Sequence, residues 1–347
     1  MAELSYKDQQ DLKNIEKIRE HLRILPRFCG EYFRSLEIRK STNTRKNYAY
    51  DLGVFFYFLK TNNPYFKDKD IHTLPIEVLD MITAMDVEEY LSYLESYTKD
   101  GKLYTNREEG KARKLSSLKS FYDYYFKKNL IRTNPPRQVD VPKIKNKNII
   151  RLDPNEIAQL LDEAESGEKL SGRQLASHEK TKVRDVAILT LLLGTGIRVS
   201  ECVGLNLEDV DFNNGAIRII RKGGNEALIY FGDEVSQALE AYMNGPRNTA
   251  EPAAGHEEAL FISLNKTRIT TRSVERLVKK YSRLVTTVKK ITPHKLRSTF
   301  GTALYQETGD IYLVADTLGH KDVNTTKKHY AAIDEHRRRM AANVVKL

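Results

Sequence analysis

A proline-bearing, lysine-rich stretch near residue 140 most constrains how this 347-residue chain can fold. Asn134-Pro135-Pro136 ends the helical pattern that precedes it, because proline lacks a backbone N–H and restricts the residue before it. From Val139 to Asn148 the sequence has no helical period and carries lysines at 143, 145 and 147. A chain of this length also exceeds one ordinary hydrophobic core. The sequence therefore predicts two domains, residues 1–133 and 153–347, joined by an extended basic linker over 134–152.

The first domain has helical periodicity in most of its length. Apolar residues at helical spacing predict one helix over residues 11–38. A second helix is expected after Ser41-Thr42-Asn43, where Thr42 or Asn43 can cap it, and a long loop over 61–80. Asp86 begins the next helix. The last predicted helix lies in 105–129, where a core stripe recurs at spacings of three and four, made of Leu115, Leu118, Tyr122 and Tyr125.

The opposite face of that last helix carries basic and hydroxyl side chains. Arg113 and Lys127 lie there with serines 116 and 120, and Lys119 lies at its flank. Such side chains suit contacts with phosphate groups, and so do Lys143 and Lys145 of the linker. A plain solvated face explains the helix equally well, and lysines also keep a linker soluble. Arg113, Lys119, Lys143 and Lys145 are the predicted DNA-binding residues.

The second domain combines helices with one predicted β-hairpin. Asp153-Pro154-Asn155-Glu156 carries a capping box with proline at the first helical position. Residues 165–181 are polar and predict a surface insertion. Two β-prone runs, 216–220 and 227–231, flank Lys222-Gly223-Gly224-Asn225, a strong turn signal. A strand is expected at 260–264, a central apolar helix at 183–193, and further helices at 233–243, 271–286, 292–308, 310–318, 323–331 and 334–345.

The last third of the chain holds side chains suited to attack on a phosphodiester. His294 and Arg297 are three apart on a helix that Thr292 caps, so both can point at one anion. Gly319 ends another helix and places His320 on a tight turn, and Tyr330 follows. Each of these features alone is weak evidence for a site.

Two further cations strengthen the set. Arg198 follows a Gly-x-Gly break at the end of the apolar helix, and Lys222 lies at the hairpin tip. The complete order is Arg, Lys, His-x-x-Arg, His and Tyr. This order resembles that of the tyrosine recombinase family, which comprises the integrases and the Xer-type site-specific recombinases. The resemblance covers the whole chain and rests on Thr195-Gly196-Ile197-Arg198-Val199-Ser200-Glu201, Lys222, His294-Lys295-Leu296-Arg297, Leu318-Gly319-His320, Tyr330 and the helix of residues 107–125.

The resemblance implies a mainly α fold. A helical core-binding (SAM-like) N-terminal domain would be followed by an α+β catalytic domain with a small β-hairpin or sheet, together forming a C-shaped clamp around DNA. Residue 298 is serine where many Xer proteins carry histidine, which weakens assignment to one subfamily. The long first domain and the 165–181 insertion look most similar to the single-protein streptococcal-type Xer recombinases.

The catalytic roles are carried over from the family and agree with the chemistry. Tyr330 is the nucleophile that forms a 3′-phosphotyrosine link, and Arg198 and Arg297 hold the non-bridging oxygens with His320 as a further donor. His294 is the candidate base and Lys222 the candidate acid, while Glu201 is expected to hold a catalytic cation in place. The link conserves the bond energy, so no ATP is required. Neither a two-metal carboxylate cluster nor a Gly-x4-Gly-Lys phosphate loop occurs in the sequence, so no cofactor and no metal are expected.

Charge and cysteine content restrict the partners. With 57 Lys+Arg against 47 Asp+Glu, the net charge is +10, which suggests a polyanion. The sequence lacks a signal-peptide pattern and an apolar run that could span a bilayer, so no membrane insertion is expected. Cys202 lies in an apolar helical pattern and predicts a buried thiol rather than a disulfide, which fits a cytoplasmic location.

The family further implies a homo-tetramer on two DNA recombination sites, linked by exchange of a C-terminal helix over 334–347, and allows a regulatory partner protein. Because the sequence begins directly with the core-binding pattern, Xer-type chromosome dimer resolution is preferred over integration or excision of a mobile element. Other hypotheses are a monomeric topoisomerase-like relaxer, a non-catalytic DNA-binding regulator on the same fold, and a binder of acidic ligands or membrane surfaces. The intact catalytic set argues against the regulator.

Overall fold

Two compact units make up the chain, Met1–Asn146 and Lys147–Leu347. The computed structural model describes residues 5–143, 150–221, 224–320 and 323. The division between the units falls inside the stretch 134–152 that the sequence marks as a linker. Both units are mainly helical with one small antiparallel sheet each; the sequence predicts the helical character of both and the sheet of the second unit.

The first unit is a helical bundle with a short hairpin. Its elements are α1 (Tyr6–Leu22), α2 (Cys29–Leu36), α3 (Thr42–Asn62), α4 (Ala84–Tyr93), β1 (Ser96–Lys99), β2 (Lys102–Thr105), α5 (Glu108–Lys127) and α6 (Pro135–Gln138), with 3₁₀ turns at Ile71–Thr73 and Ile76–Met81.

Aromatic side chains from three helices and the loop before α2 build the core of this unit. The ring of Phe121 lies 5.2–6.2 Å from those of Phe28, Tyr32, Phe56 and Tyr125, within the range where aromatic pairs are favourable. The core stripe predicted on α5 is confirmed, since Leu115, Leu118, Tyr122 and Tyr125 are all buried.

Two predictions for the first unit were wrong. The single helix expected over 11–38 is broken between α1 and α2, where Pro26 disfavours helical geometry and His72 Nδ1 lies 2.7 Å from the Leu25 carbonyl oxygen. The β1–β2 hairpin was not expected at all. The sequence signal for it is the dipeptide Asp100-Gly101, which is typical of a tight hairpin turn. Both residues adopt the positive φ that such a turn requires.

The start of the predicted linker is not extended. Pro135–Gln138 forms the one-turn helix α6, which packs against α4 and α5 with Pro135 and Pro136 buried. Proline is tolerated in a first helical turn because the N–H it lacks would be unpaired there. Arg137 also forms an ion pair with Asp123 (2.6 Å). These contacts attach the beginning of the stretch 134–152 to the first unit.

The second unit surrounds one apolar helix with helices and a sheet. Its elements are α7 (Pro154–Ser166), α8 (Arg173–Glu179), α9 (Lys182–Thr195), α10 (Val199–Gly204), β3 (Val210–Asp211), β4 (Ala216–Ile220), β5 (Glu226–Tyr230), α11 (Asp233–Tyr242), α12 (Thr271–Val285), α13 (Pro293–Thr308) and α14 (Ile311–Leu318). As predicted, α9 is central: it packs against α7, α11 and α13, and its apolar residues 187–189, 191 and 192 are buried.

The strands of the second unit form the order β3-β4-β5, with Ala216 opposite Tyr230 and Ile220 opposite Glu226. The predicted hairpin is thus confirmed to within one residue. The strand expected at 260–264 is absent, and this segment makes only isolated bridges such as Ile262 with Arg268. Its apolar run is explained by burial rather than by a sheet.

The segment 165–181 is more than a surface insertion. It contains α8, whose His178 is wholly buried. His178 Nδ1 lies 3.0 Å from the Tyr281 hydroxyl, which in turn donates to Asp185 on α9 (3.0 Å). A polar composition misled the prediction, because a few buried side chains, Leu170, His178 and Thr181, attach the otherwise solvated segment to the core.

Candidate active site

Arg198 is oriented by a buried carboxylate one turn away. Gly196 ends α9 with φ +63°, a conformation that glycine favours, and Arg198 takes the N-cap position of α10. Its backbone N–H donates to Glu201 Oε2 and its Nη1 to Glu201 Oε1, both at 2.7 Å. The side chain of Glu201 is 4% exposed and that of Arg198 34%. A ligand can therefore reach a guanidinium whose position is already set.

Arg297 lies on α13 and bonds backbone carbonyl groups from two other segments. Thr292 is the N-cap and Pro293 the first residue of this helix, as predicted. Arg297 is 6% exposed and donates to the Gly196 carbonyl oxygen at 2.6 Å and to that of Leu318. His294 is exposed. The pair expected to face one anion thus differs in burial, with the arginine reaching inward.

His320 follows a helix end whose geometry is strictly defined. Gly319 has φ +60°, its N–H donates to the Asp316 carbonyl (2.8 Å), and the His320 N–H donates to that of Ala315 (2.9 Å). This pair of bonds is the Schellman motif. The prediction that Gly319 ends a helix is confirmed, and the backbone at His320 is held by the last turn of α14.

Three arginines from separate elements converge on that helix end. The carbonyl oxygens of residues 316 and 317 accept from Arg221, that of 318 from Arg297, and that of 319 from Arg198. Orphan carbonyl groups at a helix C-terminus carry partial negative charge, which cations stabilise. The arrangement brings together Arg198, Arg297 and the turn of His320, which lie far apart in sequence.

Some predicted site residues lie outside the described residues. They are Lys222, Tyr330 and Lys145, together with the predicted helices over 323–331 and 334–347, of which only Val323 is described. The residues that flank Lys222 and Gly223 are described: Arg221 N–H donates to the Asn225 carbonyl (2.8 Å) and Gly224 N–H to that of Arg221 (3.0 Å).

Arg221 contacts the same helix end, and sequence reasoning did not single it out. A signal for it exists in the strand period: Ile217 and Ile219 are buried while Arg218 and Ile220 are exposed, so the next inward position is 221. Only the fold shows that this inward position meets α14.

The DNA-binding residues predicted on α5 are engaged within the first unit. Arg113 Nη1 bonds the buried carboxylate of Asp51, which also accepts from the Ser117 hydroxyl (2.7 Å). Burial raises the pKa of Asp51, and Arg113 partly offsets that rise. Lys119 Nζ donates to the Val139 carbonyl (2.8 Å), whereas Lys143 is exposed.

A groove of about 730 Å³ lies beside these residues, between α2 and α5. It contains serines 116 and 120, and Asp123 is the acidic residue in its lining. Cationic and hydroxyl side chains in one groove suit a phosphate backbone. Its basic residues are Arg39, Lys40, Lys119, Lys127 and Lys128. The sequence reasoning missed Arg39 and Lys40, which lie in a turn, and Lys128, which directly follows the last residue of α5.

Arg113→Ala is expected to destabilise the protein more than it weakens DNA binding. Loss of the partner leaves the Asp51 carboxylate buried and less compensated, which costs about 1–3 kcal/mol in the free energy of unfolding. In an Asp51→Asn background the same change should cost less. Urea unfolding of the parent protein, of the Arg113→Ala and Asp51→Asn variants and of the double variant measures this coupling.

Lys127→Ala is the matched control, since Lys127 is an exposed residue of the same helix. It should leave stability unchanged and reduce the salt dependence of DNA binding by about one counterion. A reduced salt slope for Arg113→Ala with unaltered stability would contradict the structural role of Arg113.

Comparison with known proteins places the chain in a family. The model described as "Phage integrase family" matches residues 150–337. A tyrosine recombinase XerC of Syntrophus aciditrophicus is 33% identical over 304 residues, covering 86% of this chain and 90% of the relative. The chain is a member of the phage integrase family, the tyrosine recombinases. This recombinase is also 30% identical to the tyrosine recombinase XerS of Lactococcus lactis subsp. cremoris, over 95% of its own length and 97% of the relative.

The fold agrees with this membership. The Tn1549 transposon integrase, solved in complex with circular intermediate DNA, superposes with a TM-score of 0.63 at 22% identity, covering 90% of this recombinase and 98% of that chain. Tyrosine recombinases cleave and rejoin DNA, so the chain is an enzyme of Xer-type site-specific recombination. Within the described parts of both units, no helix is long and apolar enough to cross a bilayer.

Proposed function

We propose that the chain cleaves and rejoins a double-stranded DNA recombination site through a 3′-phosphotyrosine intermediate on Tyr330 and a Holliday junction. The other proposed catalytic residues are Arg198, Lys222, His294, Arg297 and His320. The observation that carries this proposal is the convergence of Arg198 and Arg297 on the carbonyl groups of residues 318 and 319, next to His320.

The two arginines act on the phosphate. Attack by tyrosine adds negative charge to the non-bridging oxygens, and guanidinium N–H groups aimed at those oxygens stabilise that charge. Arg198 is exposed enough to reach a phosphate while Glu201 holds it. Arg297 orders the segments around it through Gly196 and Leu318, and His320 adds a donor from the α14 turn.

Proton transfer completes the reaction. The pKa of free tyrosine is about 10, so the nucleophile must lose a proton near neutral pH, and the exposed His294 is the proposed base. The Tyr330 oxygen bonds to phosphorus as the bond to the 5′ oxygen breaks. The electron pair left on that oxygen takes a proton from Lys222, the proposed acid. Rejoining reverses these steps.

The working assembly is proposed to be a homo-tetramer on two sites, with the helix over 334–347 exchanged between protomers in a helix-in-groove contact. Lys143, Lys145 and the basic groove of the first unit are proposed to contact DNA phosphates, and a regulatory partner protein is compatible with this assembly. Cytoplasmic chromosome dimer resolution is the proposed role, supported by relatives named XerC and XerS.

The decisive test begins with recovery of the bound genomic sequence by crosslinking. A duplex carrying that sequence with a nick beside the cleavage position serves as a suicide substrate, because a short fragment diffuses away and prevents rejoining. We expect a covalent protein–DNA complex on a denaturing gel, linked to the 3′ phosphate and leaving a free 5′ hydroxyl. Salt-sensitive binding without a covalent complex would favour a DNA-binding regulator instead.

A plasmid with two direct copies of the site then tests recombination. Resolution into two circles supports the tetrameric recombinase. Relaxation of supercoils without any resolved circles would indicate a topoisomerase-like monomer and contradict the proposed assembly.

A further inference from the structure

The side chain of Arg221 connects the hairpin turn to the end of α14. Its Nη1 donates to the Asp316 carbonyl oxygen (3.1 Å) and its Nη2 to that of Thr317 (2.9 Å). Both acceptors lie in the last helical turn before Gly319 and His320. Arg221 is also the residue directly before Lys222 in the chain.

The contact brings the guanidinium close to the backbone of Gly319. A Cβ atom at Gly319 would overlap with Arg221 Nη1, so a larger residue at 319 would displace the end of this side chain from the α14 carbonyl groups. Glycine there meets two requirements at once, the positive φ of the helix end and room for Arg221. The cation is placed where the helix dipole favours positive charge.

The same residue closes the turn through its backbone. Arg221 N–H donates to the Asn225 carbonyl and Gly224 N–H to the Arg221 carbonyl, whereas Gly224, Asn225 and Glu226 are exposed to solvent. Residue 221 therefore joins the hairpin, the body of the second unit and the turn that precedes His320. Lys222 is one peptide bond, about 3.8 Å between Cα atoms, further along.

We propose that Arg221 is a positioning residue that holds Lys222 where its ammonium group reaches the 5′ oxygen. This inference rests on the proposed role of Lys222 as the acid. A general acid must come within hydrogen-bonding reach of the atom it protonates, and lysine has a long, flexible stem. Anchoring the preceding residue to α14 restricts the backbone from which that stem extends, in a frame shared with His320.

A purely structural role for Arg221 makes a different prediction. If the contact only stabilised α14, its loss would slow cleavage of every substrate equally. If it positions the acid, only substrates that need a proton on the leaving group are affected. A duplex with sulfur in place of the 5′ bridging oxygen distinguishes the two, because a thiolate is much less basic than an alkoxide and departs without a proton, keeping the electron pair on sulfur.

The experiment measures single-turnover cleavage of the oxygen and sulfur forms of the nicked recovered site. Arg221→Ala should slow cleavage of the oxygen substrate by about ten- to a hundredfold, less than the loss of the acid itself. On the sulfur substrate, the Arg221→Ala and Lys222→Ala variants should both have cleavage rates within about twofold of the parent protein's rate. Arg221→Gln, which keeps a shorter stem and an uncharged amide donor, gives a second measurement if the alanine variant does not fold.

Arg218→Ala is the matched control. Arg218 lies on β4, three residues before Arg221, but bonds Asp209 (2.9 Å) and Glu208 (3.0 Å) instead of α14. The Arg218→Ala variant should therefore cleave both substrates normally. The positioning role is overturned if the Arg221 variants cleave the oxygen substrate at the parent rate. It is also overturned if the sulfur substrate restores cleavage by Lys222→Ala but not by the Arg221 variants. Failure of sulfur to rescue Lys222→Ala would instead refute Lys222 as the acid.

Discussion

Tyr330→Phe is expected to abolish the covalent protein–DNA complex while leaving DNA binding unchanged. The substitution removes one hydroxyl oxygen, and with it the atom that would bond to phosphorus. It alters neither the net charge nor the basic groove of the first unit, so contacts with the phosphate backbone should persist. The suicide substrate measures the covalent complex, and a mobility shift under native conditions measures binding.

Tyr312→Phe makes the same change at another tyrosine of the second unit. Tyr312 lies on α14 and is 71% exposed, so its loss should affect neither readout. Peptide mapping of the parent complex should place the phosphodiester adduct on the peptide that contains residue 330. A covalent complex that still forms with Tyr330→Phe would show that another residue is the nucleophile.

Arg297→Lys is expected to be the most damaging conservative change among the described residues. Lysine keeps the charge but offers one compact ammonium in place of a planar fork. It cannot replace the two bonds that Arg297 makes to the carbonyl oxygens of Gly196 and Leu318. We expect cleavage of the suicide substrate to slow by about 10²–10³-fold, the usual effect of losing a donor to the transition state.

The same substitution should lower the free energy of unfolding by about 1–3 kcal/mol, because a buried carbonyl group loses its donor. Arg283→Lys, at an exposed position of α12, is the matched control and should change neither quantity. Rates within a few-fold of the parent for Arg297→Lys would remove Arg297 from the catalytic set. Unfolding measurements on the same samples separate a chemical defect from a loss of folded protein.

Local signals in the sequence predicted most elements of the fold. The capping box at Asp153 and Glu156 and the proline at 154 mark the start of α7, as the structure shows. The turn residues between 216–220 and 227–231 predicted the β4–β5 hairpin to within one residue. Cys202 is a free, buried thiol as expected, and burial raises its pKa to about 12. These features depend on neighbours within a few positions, so a single sequence contains the information.

Errors arose where distant contacts override local patterns. The periodic stretch 11–38 is broken beside Pro26, where His72 contacts the Leu25 carbonyl oxygen, and the polar segment 165–181 is attached to the core by buried side chains that include His178. Arg113 has the charge of a phosphate-binding residue but bonds Asp51, which is 62 positions away. The helical period predicts which side chains face away from the core, but it cannot predict which distant carboxylate such a side chain will bind.

The sequence by itself determined the family, the order of the catalytic residue types and the elements that carry them. Periodicity, capping and turn chemistry act over a few residues, and the motifs are contiguous. Only the tertiary structure decided that Arg198, Arg221 and Arg297 converge on the carbonyl groups of residues 316–319. Those bonds join positions 121, 95 and 21 apart. They exist because packing brings the end of α9, the hairpin and α13 to one helix end whose carbonyl groups require donors.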